Sequence, residues 1–358
     1  MQDSPQSNAA FTQDHLIGGY RSLSRAHAAD PVVRRHGSSG GVVTALLLSA
    51  MEQRLIDAAL VVTNDDSDPT RPQLTVARTP GAIRAAAQSK YCIVPVNSLL
   101  AEVPDDVNRL GIVALPCQAR GLQLARALDL AVTRRVSFTI GLFCGFNMSR
   151  AGTSYLLSKL KIRPEKVATL EHRGGDWPGG FRVVTHDGRD EFIPKHQCTY
   201  AHLIYSPEGC WHCPDLTAEF ADISVGDYWV RDERARSMVI GRTVAGQALL
   251  DSAKIRGDVI AETISYEDVL GSHRHLLLYK KAGVQVRRSM SRRPPVKGYE
   301  LPSLTAKERL GSLLLYIFLR LGSSPVGRFV VGLLPLRAVG LVSARARAVL
   351  RRGARDRV

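Results

Sequence analysis

The chain has 358 residues, of which 45% are hydrophobic, enough to bury a full core as one large domain or two coupled ones. Six cysteines, only two closely spaced, and a polar start with no Lys or Arg before Arg21 argue against a disulfide scaffold and a signal peptide, and point to a reducing cytoplasm. The net charge of +15 is concentrated: Arg274 to Val358 carries 19 Lys/Arg against 3 Asp/Glu, interleaved with Leu, Val and Ile rather than with stacking aromatics, so no nucleic-acid partner is expected.

In chain order, residues 1–16 read as disordered. After the turn Gly37-Ser38-Ser39-Gly40-Gly41, Val42 to Leu55 is apolar around most of a helical circumference and reads as a buried helix. Ala58 to Thr63 reads as a buried strand and Pro80 to Gln88 as a short helix. Gly111 to Pro116 reads as a strand, followed by a helix from Cys117 to about Leu128. Val136 to Cys144 is another strand, and Ser149 to Leu160 a helix with Ser149 as its N-cap. Short strands follow at Ala168–His172, Phe181–Thr185 and Glu191–Ile193, joined by Gly and Asp turns. A strand from Ser237 to Thr243 and a helix from Ala245 to Ile255 complete a mixed α/β body, with no internal repeat.

Three motifs carry the chemistry: Leu-Pro-Cys-Gln at Cys117, Gly-Leu-Phe-Cys-Gly at Cys144, and Cys-Trp-His-Cys-Pro-Asp at Cys210 and Cys213. Four thiols from distant segments, with one close pair, point to a metal centre. The proline after Cys213 leans toward iron–sulfur, because Cys-Pro often closes a cluster-binding run. Zinc and redox thiols use the same Cys-x-x-Cys spacing and stay open at this stage. Cys117 stands at the start of a helix, where amides and dipole favour a thiolate. Gly145 gives an inorganic core room beside Cys144. The turn at 37–41 can hold a phosphate on its amides, though it lacks dinucleotide-fingerprint and P-loop spacing; a serine-capped helix start is the alternative. His172, His196, His202 and His212 lack metal-ligand spacing. Asp222 and Asp227 either orient the cysteine loop or cap turns.

In one order, His36-Gly-Ser-Ser-Gly-Gly, Leu115-Pro-Cys-Gln, Gly141-Leu-Phe-Cys-Gly, Arg173-Gly-Gly-Asp-Trp-Pro-Gly-Gly and the unbroken run from Cys210 to Trp229 resemble the coenzyme F420 hydrogenase/dehydrogenase beta-subunit family. That family also holds chlorophyll-pathway reductases, and the resemblance spans about Ile17 to Gly283. It implies a flavin and iron–sulfur oxidoreductase with FAD and a 4Fe–4S cluster, whose cysteine motifs fall on Cys117, Cys144, Cys210 and Cys213. Cys92 and Cys198 match no motif and are expected to be buried, idle thiols. The resemblance also implies that Ser38, Ser39, Gly40 and Gly41 contact the flavin or a deazaflavin. Arg173, Asp176 and Trp177 would then lie on a loop over the isoalloxazine, with Trp177 stacking and Arg173 offsetting reduced-flavin charge; a plain hairpin connection is the alternative. The chain divides on this reading into a disordered N-terminus (1–16), an N-terminal family domain (17–110), a flavin and iron–sulfur C-terminal family domain (111–283) and a basic amphipathic tail (284–358).

The expected function is electron transfer between a hydride carrier (coenzyme F420 is the candidate) or a substrate, FAD and the cluster. A ferredoxin-like carrier or a partner subunit would take single electrons. Rival readings are an electron-relay subunit of a membrane-associated complex and a zinc-stabilised binding module. In the tail, Leu310 to Leu319 and Val326 to Val342 are apolar but broken by Arg320, Arg328, Pro335 and Arg337, too short to span a bilayer. They fit helices on an anionic membrane surface at the inner face, or helices docked on protein. Every motif precedes Gly283, so deletion from Leu301 onward is expected to spare the cofactor sites.

Overall fold

The computed structural model describes residues 11–229 and 235–341, together with Arg345. Eleven strands are described: β1 Ser22–Ala28, β2 Ala58–Asn64, β3 Pro72–Ala77, β4 Leu110–Ala114, β5 Val136–Leu142, β6 Val167–Gly174, β7 Gly180–Thr185, β8 Asp190–Pro194, β9 Ile223–Asp227, β10 Ser237–Gly241 and β11 Val259–Thr263. Eight form one mixed sheet in the order β11-β1-β10-β9-β5-β4-β2-β3, and β6-β7-β8 form a second, antiparallel sheet. In the large sheet, β2, β4, β5 and β9 run parallel. The pairs β2–β3, β9–β10, β10–β1 and β1–β11 are antiparallel.

Alternation along the strands feeds two cores. On β2, Ala59 and Val61 face the layer of the helices Val42–Glu52 and Val244–Ile255, with Leu46, Leu47, Leu249 and Leu250. Ala58 and Leu60 face the opposite layer, with Ile112 of β4 and Ala119 and Leu122 of the helix Pro116–Ala127. The small sheet covers its own core, where Leu170, Phe181, Val183 and Ile193 meet Tyr155 and Leu156 of the helix Arg150–Lys159.

The elements expected from the sequence form, with ends moved by a few residues. The helix expected to reach Leu55 stops at Glu52, and the one expected to reach Gln88 stops at Ala85. Ser149 holds the N-cap position without a side-chain capping bond. Residues 11–16 are not disordered: Thr12 and Tyr20 exchange backbone hydrogen bonds of 2.8 Å, and Leu16 is buried. Residues 1–10 of that stretch lie outside the described residues. Strands β1, β3, β9 and β11 were not expected, nor was the helix Tyr266–Leu277.

Candidate active site

The parallel strands aim their carboxyl ends at one edge of the sheet, where open α/β sheets bind ligands. Cys117 follows β4 at the second position of its helix, Cys144 follows β5, and Asp227 ends β9. The Cys210–Cys213 loop comes to the same edge. Cys210 lies on a single helical turn, Glu208–Trp211, rather than in open loop. The Cys144 amide donates to the Leu216 carbonyl at 2.8 Å, which ties the β5 end to the segment after Cys213.

The four thiols lie within electrostatic reach of one another. Cys117 is exposed as a residue, but desolvation at its thiol pushes it up to about 11, with the charges of Cys213 and Cys210 adding. Burial raises Cys144 further, and it feels all three of the others. Lys280 is buried beside them, with its Nζ 5.6 Å from the Phe146 ring centre. Burial works against its charge, but thiolates at Cys213, Cys144 and Cys210 favour it and hold its affinity for a proton above the ordinary lysine value. Among the described residues, no three His, Cys, Asp or Glu side chains converge tightly enough for a single metal ion. Zinc needs its thiolates about 2.3 Å from one centre. A four-iron cluster takes four cysteines, one at each iron of a bulkier core. Cys117, Cys144, Cys210 and Cys213 match the four-cysteine donor count of such a cluster.

The tail is not separate from this site. Tyr316 and Leu319 of the helix Ala306–Gly322 pack on Trp211, between the paired cysteines, with Phe146 and Cys210 beside them. Arg287, fully buried, donates to the Trp211 carbonyl at 2.7 Å, the Tyr279 carbonyl at 2.7 Å and Ser312 Oγ at 3.2 Å. The expectation that deletion from Leu301 spares the cofactor sites therefore gives way, because the tail helix forms one wall over the cysteine loop. Truncation after Glu300 is expected to lower iron retained through purification by at least about half, read against Trp211 fluorescence and iron assay.

A cavity of about 1390 Å³ adjoins the thiols, with Cys144 in its wall, above the size range of ordinary small-ligand pockets. Ser38, Ser39 and Gly41 line its far end, where the helix Val42–Glu52 begins. Gly41 has φ of 73°, and a Cβ there would meet the Val33 carbonyl at 2.6 Å, so only glycine turns the chain this tightly. The serines do not cap that helix, contrary to the alternative reading. Ser38 Oγ accepts from the Ser89 amide at 2.7 Å, and Ser39 Oγ bonds Ser237 Oγ at 2.8 Å. Gly40 lies behind the wall, its amide donating to Ser237 Oγ at 3.0 Å. The first amides of the helix are left without a side-chain cap beside the cavity.

Arg173 and Asp176 also line the cavity. All five Arg173 N–H donors are engaged: Nε with the Pro178 carbonyl at 3.1 Å, Nη1 with Tyr91 Oη at 3.2 Å and Asp227 Oδ2 at 3.0 Å, Nη2 with the Ser38 carbonyl at 2.6 Å and Asp227 Oδ1 at 3.5 Å. Arg173 therefore locks the 37–41 turn to β9 and has no donor left over for a ligand. Burial pushes the Asp227 carboxyl up, but Arg173 and Lys195 outweigh it and hold it below the ordinary range. The Trp177 and Trp229 rings lie 4.8 Å apart at an angle of 32°, and of the two only Trp229 lines the cavity, so Trp177 does not hold the stacking position expected of it. Lys195 Nζ stands 4.3 Å over Trp229 and 3.3 Å from Asp227.

The histidines and spare cysteines do not join the thiols. His172 and His202 flank Tyr91 edge-on, and burial drops them to about 3 and about 4, so both are neutral at physiological pH. Cys92 is half-buried and Cys198 buried. Asp222 ties β5 to the following turn, accepting from the Thr139 amide and Thr243 Oγ1 at 2.8 Å each. Sequence reasoning missed Lys280, Lys195 and the pairing of Asp227. Two adjacent lysines inside the apolar run Leu276 to Ala282 were the signal for the first.

Comparison with known proteins gives the family. Residues 23–101 match the N-terminal model, and residues 107–267 the C-terminal model, of "Coenzyme F420 hydrogenase/dehydrogenase, beta subunit". The coenzyme F420 hydrogenase subunit beta of Methanothermobacter thermautotrophicus is 29% identical over 260 residues, 71% of this chain and 88% of that protein. The coenzyme F420-dependent sulfite reductase of Methanocaldococcus jannaschii is 28% identical over 64% of this chain and 36% of its own length. A chain of the F420-reducing NiFe hydrogenase complex from Methanosarcina barkeri has the same fold, with TM-score 0.64 and 24% identity, covering 82% of this chain and 99% of that one. The chain is an oxidoreductase belonging to the coenzyme F420 hydrogenase/dehydrogenase beta-subunit family.

Proposed function

We propose that this chain passes electrons between a hydride carrier and one-electron acceptors, using FAD in the cavity and a 4Fe–4S cluster on Cys117, Cys144, Cys210 and Cys213. The observation that carries the proposal is the position of Cys144, whose residue lines the cavity on one side and joins the four-thiol set on the other. FAD supplies exchange between hydride and single-electron chemistry, and the cluster carries single electrons.

The chain's own groups fit those roles. The uncapped amides at Val42 and Val43 offer donors to a pyrophosphate. Asp227, through Arg173, fixes the 37–41 turn against β9, and Trp229, backed by Trp177, is the indole in the cavity wall. Lys195, rather than Arg173, is the cation able to offset negative charge on a reduced ring. Lys280 balances thiolate charge from behind.

Coenzyme F420 is the hydride carrier we assign, because the relatives named above act on it. A ferredoxin-like carrier or partner subunit takes the electrons, in the cytoplasm and at the inner membrane face. A relay subunit without its own substrate is the second reading, favoured by the likeness to a chain from a larger hydrogenase assembly. Anaerobic mixing with reduced F420, with NADH as the control, separates the two. Bleaching of flavin absorbance by reduced F420, followed by a reduced-cluster EPR signal, is the expected result. A chain that holds flavin and cluster but gives no bleaching is a relay.

A further inference from the structure

The helices Ala306–Gly322 and Pro325–Leu333 are apolar on two opposite faces. On Ala306–Gly322, Ser312, Tyr316 and Leu319 are buried against the body. Leu310, Leu314, Ile317, Phe318 and Leu321 recur at helical spacing on the other face and are 43–66% exposed. The next helix, Pro325–Leu333, repeats the pattern: Val331 packs on the core under the small sheet, while Val326, Phe329, Val330 and Leu333 are exposed. Lys159 Nζ bonds the Leu334 carbonyl at 2.9 Å and holds the end of this second helix to the body. Both outward stripes therefore face away from the same body.

Neither helix is long enough to cross a bilayer, and the pair is bent by 81° at the break. The charges around the stripes have one sign. Arg309 and Arg337 are exposed beside the stripes, whereas Arg320 and Arg328 lie over the Tyr316 and Tyr205 rings and Lys307 lines the cavity. The single acid from 301 to 341 is Glu308, whose carboxylate accepts from the Thr305 amide and hydroxyl at 2.9 and 2.8 Å. The sequence beyond Leu341 adds Arg345, Arg347, Arg351, Arg352, Arg355 and Arg357 against Asp356.

We infer that this outward face rests on an anionic lipid bilayer, its Leu, Val, Ile and Phe side chains in the headgroup–acyl boundary and its arginines on lipid phosphates. An apolar helical face with cationic flanks is the form of an in-plane membrane helix. A second copy of the chain would set arginine against arginine. A protein partner would use hydrogen bonds, of which a typical interface has about ten, and the exposed stripes offer no side-chain donor or acceptor. The segment lies beyond residue 267, where the family match ends, so this contact belongs to the chain rather than to the shared redox body. It does not depend on the flavin or cluster assignment.

The test is sedimentation of the full-length protein with phosphatidylcholine vesicles, with and without phosphatidylglycerol, at low and high salt. Binding is expected with the anionic vesicles, weakening with salt. Arg309→Gln with Arg337→Gln is expected to weaken it by roughly twentyfold, each basic residue near the surface being worth about fivefold. Phe318→Gln with Phe329→Gln is expected to weaken it by roughly tenfold or more, including the part that survives high salt. All four residues are exposed, so an unchanged circular dichroism melt shows that the variants fold. No binding by the wild-type chain, or equal binding by the phenylalanine variant, overturns the inference. So does a concentration-dependent oligomer that the phenylalanine variant abolishes in the absence of vesicles.

Discussion

Asp227→Ala is expected to cost about 3 kcal/mol of unfolding free energy, read as a lower denaturation midpoint in urea. The substitution leaves the buried Arg173 guanidinium without its anion and Lys195 without its carboxylate. An uncompensated buried cation is far more costly than a missing surface ion pair, which is worth about 0–1 kcal/mol. Arg182→Ala, which breaks an exposed pair with Asp190, is therefore the control and is expected to cost little. The pH dependence has a definite sign. Asp227 is held below the ordinary carboxylate range, so its contribution is complete above the unfolded-state value and is lost as pH falls through the folded value. Asp227→Asn should remove that acid-side loss while keeping one acceptor for Arg173. A cost below about 1 kcal/mol for Asp227→Ala would show that water, and not the carboxylate, satisfies Arg173.

The second large effect concerns the thiols. Cys210→Ala and Cys213→Ala are each expected to abolish visible cluster absorbance and most of the bound iron, while Cys92→Ala and Cys198→Ala keep both. Cys198 is buried under the small sheet with Tyr200 and Ile204, its Sγ donates to the Lys195 carbonyl at 3.6 Å, and although it lines the cavity it feels none of the four motif thiols. Loss of iron in Cys198→Ala with retention in Cys117→Ala would reassign the ligands. In the same series, Lys280→Met should keep the iron and lower the cluster midpoint potential by on the order of tens of millivolts, because a buried positive charge favours the reduced, more negative cluster. EPR-monitored redox titration reads that shift apart from any change in activity.

The cysteine motifs and the central strands were legible because their signals are local. Gly111 to Ala114 and Val136 to Leu142 are apolar runs between breakers, and each delivers a cysteine just past its end. Strands β1, β3, β9 and β11 were not legible. β1 alternates only the small Ala26 and Ala28 with Arg25 and His27 and sets Leu23 on the face of that polar pair, and β3 begins at a proline and closes the sheet at its edge. β9 is only Ile223 to Asp227 and is made a strand by its neighbours on both sides. The ion pair of Arg173 with Asp227 spans 54 residues, and no local pattern announces it. The double-faced character of the tail helix was hidden for another reason. An all-round apolar helix reads alike whether both faces are buried or one is bare, and only packing separates the two.

The most direct test of the central claim is composition of the protein purified without oxygen, assayed together for iron, acid-labile sulfide, zinc and flavin. A brown protein with about four irons, about four sulfides and about one FAD per chain, and no stoichiometric zinc, is the predicted result. One zinc per chain with no labile sulfide would contradict the account.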